Sequence, residues 1–388
     1  MIEILLLALI PAAAWVGWIL AKSKTRRGER KRNRNFSDRY FKGLNYLLDE
    51  QPDKAIAVFI EMAEVTTDTI ETHLALGSLF RRRGEVERAI RVHQNIISKP
   101  GLEERQKTRA LLELGEDYMR AGLFDRAENL FNELIERESY APSALRHLLD
   151  IYQQEKDWEK ALIQAQQLEA VSGEKMGKVM AHFCCELAEA DLTRNIPAEA
   201  RKHLRQARRY FPESIRARLT LARIAQQQEM FTEALDVYEE IAEMDMAYIH
   251  DFLDAYLDCA KQADAFPRAH EAMKKWVEDY DGISLLMALT AVIRNEQGLE
   301  AATHYLADAL TRRPSVQGLD YLIELKLEGG PETESGDEIL RAVAQKLLAR
   351  QPSYRCTHCG YAGHSHHWQC HSCKNWSTTR IIRGVLGE

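Results

Sequence analysis

Three stretches of this chain repeat one pattern. They begin at Gly43 (GLNYLLDEQPDKAIAVF), Gly77 (GSLFRRRGEVERAIRVH) and Gly115 (GEDYMRAGLFDRAENLF). Each opens on glycine, carries an aromatic residue three positions on and alanine twelve positions on, with an aromatic residue or histidine four beyond that. The alanines are Ala55, Ala89 and Ala127. A repeat of this length is one supersecondary unit. It cannot bury its apolar face alone, so copies must stack and share a continuous core. Weaker copies place Ala161, Ala200, Ala234, Ala269 and Ala302 at the same point, with Pro212 and Pro314 closing two of them.

The pattern resembles the tetratricopeptide (TPR) repeat, whose helix-turn-helix unit has a period of about 34 residues. On that register about eight units occupy 36–315, and two helices close the stack over 316–350. Glycine or alanine at 43, 77, 115 and 222 lets paired helices approach, and Tyr46, Phe59, Phe80, Tyr118 and Phe131 fill the gaps between them. Gly84 and Gly122 fall in the turns, where positive φ costs glycine little. Partner-binding candidates lie on the polar positions of the first helix of each unit, such as Asn45, Arg81, Arg82 and Glu116. The body holds no G-x-x-x-x-G-K-[ST], G-x-G-x-x-G or G-x-S-x-G motif, so no enzyme class is indicated. Cys184, Cys185, Cys259 and His182 read as ordinary buried packing.

Residues 2–21 hold only one charge, Glu3, and a helix of that length spans roughly 30 Å, a bilayer core. Eight Lys and Arg against two Glu give residues 1–34 a charge of +6. Basic residues stay on the cytoplasmic side. The expectation is therefore a transmembrane helix over 1–21 with its N-terminus periplasmic, a basic juxtamembrane segment over 22–35, and the body in the cytoplasm. A cleaved signal peptide is the rival, but it places its positive charge ahead of the apolar run. The whole chain carries −7 and the segment 351–388 carries +3, which leaves −16 on the body between 35 and 350. So acidic a body is a poor partner for nucleic acid, whose phosphates demand clustered cations.

Four of the seven cysteines form two C-x-x-C pairs near the C-terminus, Cys356 with Cys359 and Cys370 with Cys373. Two such pairs in a short segment of a reducing compartment point to one tetrahedral metal ion, zinc or iron, rather than to disulfides. Residues 351–388 are too few to fold on apolar burial alone, so the metal takes over the task of a core, with Tyr361, Trp368 and Trp376 as its aromatic complement. His358, His364, His366, His367 and His371 read as a contact surface rather than as ligands. The first knuckle, CTHCGY, resembles that of rubredoxins. The second departs from them, with His371 and Lys374 where proline and glycine are usual.

Taken in order, the anchor, basic run, repeats and cysteine module closely resemble the lipopolysaccharide assembly protein B family of Gram-negative bacteria. The residues that carry the likeness include 77–94, 115–132, AHFCCELA (181–188), WQCHSC (368–373) and IIRG (381–384). The resemblance implies an all-α TPR solenoid with an N-terminal transmembrane helix and a small rubredoxin-like or zinc-ribbon domain over 351–388. It implies metal ligation by Cys356, Cys359, Cys370 and Cys373. It further implies a non-enzymatic, single-pass inner-membrane adaptor that limits lipopolysaccharide synthesis by promoting proteolysis of the deacetylase committed to lipid A. Its implied partners are that deacetylase, the membrane-anchored ATP-dependent protease and an inner-membrane protein that senses lipopolysaccharide. Repeat arrays and membrane helices both permit a homodimer. The alternatives are a TPR scaffold for another membrane complex, a rubredoxin-type electron carrier and a nucleic-acid-binding ribbon.

Overall fold

The computed structural model describes residues 70–328, 335–349 and 351–388, together with positions 42, 43, 45, 46, 54 and 58. The proposed membrane helix over 1–21, the basic segment over 22–35 and Ala55 of the first repeat lie outside the described residues. Among the described residues no helix is long and apolar enough to cross a membrane. The chain divides into two compact units. The first runs to Asp157 and takes in Ala170–Ser172; the second holds Trp158–Glu169 and Gly173–Glu388.

The first unit contains α1 (Ile70–Arg82), α2 (Val86–Ile97), α3 (Glu104–Arg120), α4 (Phe124–Glu136) and α5 (Ala141–Glu155). Small residues set its spacing. A side chain at Gly77 would strike the His93 ring, and a Cβ at Gly115 would lie 2.5 Å from the ring of Phe131. Ala89, Ala127 and Phe131 are fully buried. Gly84 and Gly122 adopt φ of +82° and +73° in the turns after α1 and α3, where no carbon side chain sits comfortably.

Polar residues brace this unit as well. Arg81 donates to Glu113, Glu116 and Asp117 across the α1–α3 gap, at 2.8, 2.7 and 2.7 Å. The buried Asp117 also meets His93 Nδ1 at 2.5 Å. Arg81 and Glu116 are therefore committed inside the stack rather than held out for a partner, whereas Arg82 and Asn45 are exposed.

The second unit is built of further helices. They are α6 (Trp158–Ser172, its last residues assigned to the first unit), α7 (Gly177–Thr193), α8 (Pro197–Tyr210), α9 (Ile215–Gln227), α10 (Phe231–Met244), α11 (Ile249–Gln262), α12 (Phe266–Asp279), α13 (Ile283–Gln297), α14 (Leu299–Arg312), α15 (Val316–Glu328) and α16 (Ser335–Leu348). A single 3-10 turn, Met246–Tyr248, precedes α11. Ala161, Ala200, Ala234, Ala269 and Ala302 are all at most 1% exposed, each in the first turn of its helix. The main core of this unit joins α9 to α13 through Leu235, Tyr238, Ile241, Phe252, Tyr256, Met273 and Trp276. Three short strands follow, β1 (Tyr354–Cys356), β2 (Ala362–Gly363) and β3 (Thr379–Ile381), in an antiparallel sheet ordered β2-β1-β3. The described chain is an all-helical TPR solenoid followed by a small ribbon.

Because Phe131 is locked between helices, Gly115→Ala forces an overpacked contact. It is expected to cost about 1–3 kcal/mol and to lower the urea midpoint of the helical circular-dichroism transition.

Candidate metal centre and its seat on the repeats

The two cysteine knuckles are built alike. In the first, the Gly360 N–H donates to Cys356 O at 3.0 Å and the Cys356 N–H to Tyr361 O at 2.7 Å. In the second, the Lys374 N–H donates to Cys370 O and the Cys370 N–H to Asn375 O, both at 2.9 Å. The residue after each pair must turn left-handed, and Gly360 and Lys374 adopt φ of +78° and +58°. Lysine thus holds a conformation that glycine takes without penalty. Strand β1 presents Cys356, and the pairing of Cys356 with Thr379 on β3 brings the second knuckle over it.

The four Sγ atoms lie within 4.8 Å of one another; Cys356 and Cys373 are 3.8 Å apart, Cys359 and Cys370 3.7 Å. Four thiolates around a tetrahedral ion with bonds of about 2.3 Å have edges of about 3.8 Å, so the donor set fits one metal ion. The surroundings favour charge on two of the sulfurs. The Thr378 hydroxyl, aided by the backbone N–H of Cys359, pulls the Cys356 thiol down to about 5. The Asn375 backbone N–H lowers Cys373, while burial holds Cys370 up at about 11. An ion there would be closed to substrate by its four protein ligands, and what it supplies is a cross-link between the knuckles. Elsewhere burial drives the Cys184 and Cys185 thiols up to about 12, and Cys259 upward as well, as expected of packing cysteines.

The ribbon's tryptophans do not form a core of its own. Trp376 stacks on His182 at 4.8 Å between ring centroids and meets Trp158 and Phe183 edge-on. Trp368 stacks on Tyr248 at 5.7 Å. Arg216 lies over both indoles, at 5.8 and 5.9 Å. Tyr361, expected in that core, is 44% exposed. His366 is not surface either: it packs against Trp368 and Tyr354. Polar bonds complete the seat. Ser377 Oγ meets His182 Nε2 at 2.7 Å, Tyr354 donates to Asp251 at 2.9 Å, and Arg380 donates to Asp245 at 2.8 Å. The Glu388 carboxylate accepts from Ser284 and Tyr280.

These contacts follow the repeat. His182, Arg216, His250 and Ser284 recur every 34 residues, in the N-terminal halves of α7, α9, α11 and α13. His182 and Arg216 take the tryptophans, and His250 lies beside Tyr354 and the Glu388 carboxylate that Ser284 holds. The ribbon is therefore laid along equivalent points of four successive first helices. It reaches back as far as Trp158 of α6 and also meets the later helices, where the Val316 N–H at the start of α15 donates to Val385 O at 2.8 Å. Sequence reasoning assigned His182 to packing and did not single out Arg216, although their shared period was the available signal.

Removing the metal with a strong chelator, or replacing Cys356 and Cys359 by serine, is expected to release Trp368 and Trp376. Their emission then shifts to the red and proteolysis sets in beyond Leu348, with helical circular dichroism nearly unchanged. Lys374→Gly removes the left-handed strain and is expected to stabilise the ribbon by roughly 0.5–1 kcal/mol, read as slower metal loss to a competing chelator.

Comparison with known proteins agrees with this architecture. Models of the tetratricopeptide repeat match residues 72–105, 112–175 and 195–253, and a model described as a rubredoxin metal binding domain matches 354–380. Lipopolysaccharide assembly protein B of Escherichia coli strain K12 is 32% identical over 389 residues, covering 100% of both chains. The protein of the same name from Haemophilus influenzae is 30% identical, covering 98% of each. Among solved structures, the MamA protein is similar at 17% identity over 48% of this chain and 96% of its own, with a TM-score of 0.33. The chain belongs to the lipopolysaccharide assembly protein B family.

Proposed function

We propose that this chain is a non-catalytic adaptor that restrains lipopolysaccharide synthesis at the cytoplasmic face of the inner membrane. The name its relatives carry supports the link to lipopolysaccharide. The observation that carries the adaptor reading is the ribbon laid along four repeats: the metal module is spent on shaping a binding scaffold rather than on presenting an open metal. In this reading Cys356, Cys359, Cys370 and Cys373 hold one zinc or iron ion as a structural cross-link. The domain plan is an anchor over 1–21, a basic segment over 22–35, repeats over 36–315, closing helices over 316–350 and the ribbon over 351–388.

The adaptor delivers the deacetylase of the lipid A pathway to the membrane-anchored ATP-dependent protease, and a lipopolysaccharide-sensing membrane protein opposes it. Confinement of all parties to one membrane surface raises their effective concentrations without any new contact. Exposed polar residues of the first helices, Arg82 and Asn45 among them, are available to these partners. Depletion of the protein is expected to lengthen the half-life of the deacetylase several-fold and to raise lipopolysaccharide, as followed by pulse-chase and lipid A quantification. An unchanged half-life with a changed envelope would leave a TPR scaffold of another membrane complex in its place.

A further inference from the structure

The last helix of the repeats leaves an apolar face uncovered. A repeat buries its apolar side against the next one, and a terminal repeat needs a polar outer face to stay soluble. Among the described residues no helix follows α16. Its inner side is committed: Ala344 is buried, and Arg341 reaches Glu324 at 2.9 Å and Asp320 at 3.5 Å on α15. Its outer side carries Ile339, Leu340, Val343 and Leu347, which are 66, 54, 50 and 45% exposed. No other described helix exposes as many large apolar side chains. Single exposed apolar residues are ordinary, but a row of them along one helix marks a contact surface.

The order of the residues selects what covers that row. Leu340, Val343 and Leu347 follow one another at three and then four positions, the spacing with which two helices pack side by side. Ile339 and Leu347 each stand four positions from Val343, so reversing the helix maps these three apolar positions onto themselves. An isologous two-fold contact requires that self-complementarity. Charge then fixes the direction. In the sequence Glu332, Glu334, Asp337 and Glu338 precede the row, and Lys346 and Arg350 lie toward its far end. A second copy laid antiparallel sets acid beside base at both ends, whereas a parallel copy sets like charge against like. An anionic lipid surface attracts basic segments, and the acidic start of α16 is the wrong sign for it.

We propose that the outer face of α16 is a self-association surface, on which a second copy of this chain lays its own α16 antiparallel, centred on Val343. The 14 residues of α16 make a helix about 21 Å long, so the seam is smaller than a standard interface of about 1,200–2,000 Å². Pairing through it is therefore weak and rises with the density of the protein. It stands whether or not the chain delivers a substrate to a protease.

The test is cross-linking with dibromobimane, which joins only close thiols, between copies of the full-length chain in lipid vesicles, with the unsubstituted chain as the blank. Val343→Cys is expected to cross-link to itself, and Ile339→Cys to Leu347→Cys on a differently tagged copy. Leu347→Cys is expected not to cross-link to itself, because antiparallel packing sets those positions about 12 Å apart along the axis. Adding Lys346→Glu to Val343→Cys is expected to cut the yield severalfold. Mixing that variant with one carrying Glu338→Lys and Val343→Cys restores the yield in the mixed pair. Self-cross-linking of Leu347→Cys means parallel pairing and overturns the proposal. So does a Val343→Cys thiol that reacts freely with a soluble maleimide yet never cross-links at any protein density, since the face is then open. Protection from maleimide without cross-linking assigns the cover to lipid or to the same chain, and overturns it too. The three cysteine positions are exposed, so each variant is expected to keep the helical circular dichroism of the parent.

Discussion

Alanine in the first turn of each described second helix fixes how closely neighbouring helices approach, and that spacing recurs with the period of the repeat. Any side chain that recurs with the same period then falls on a line across the first helices. His182, Arg216, His250 and Ser284 form such a line, and the ribbon is attached along it. A packing rule that exists to stack helices thereby supplies the ruler for a second, unrelated structure. The ribbon gains from this directly. It has almost no core of its own, and its two tryptophans are covered only because the repeats offer rings at the right interval.

Arg216 carries the greatest energetic tension in that line. It is 4% exposed, and burying a guanidinium costs several kcal/mol unless its charge is matched. Glu186 and Glu189 on α7 match it, and two indole faces add cation–π attraction that grows as water is excluded. The arrangement ties three parts together, since α7 supplies the carboxylates, α9 the cation and the ribbon the aromatic faces. Loss of any one leaves the others holding an unmatched buried group, which is why the seam behaves as a unit rather than as a list of contacts.

Much of this was legible in the sequence where one residue type answers to one physical demand. Glycines at 77 and 115 and alanines from 89 to 302 mark helix contacts because no larger residue fits, and two C-x-x-C pairs mark a tetrahedral donor set because their spacing closes on one point. What stayed hidden involves residues with several uses. Arg81 and Glu116 read as open groove positions, yet they serve as an internal brace across α1 and α3. Trp368 and Trp376 read as a ribbon core, yet they face outward onto the repeats. A small metal-bound fold can tolerate exposed indoles only if another surface accepts them, and sequence adjacency gives no sign of a surface so far back in the chain.

That distance has a consequence in time. The bond between His182 and Ser377 spans 195 residues. Synthesis proceeds at roughly 5–20 residues per second, so α7 emerges about 10–40 seconds before the ribbon that covers it. Each repeat can fold against its predecessor as it appears, but the line from His182 to Ser284 must wait, its aromatic side chains and the Arg216 guanidinium still without the ribbon's indoles over them. Completion is then set by two late arrivals, the ribbon and a metal ion. Until both are present, a folded and otherwise ordinary stack of helices displays a sticky face, which makes metal supply a determinant of how long each new molecule is exposed to misassembly.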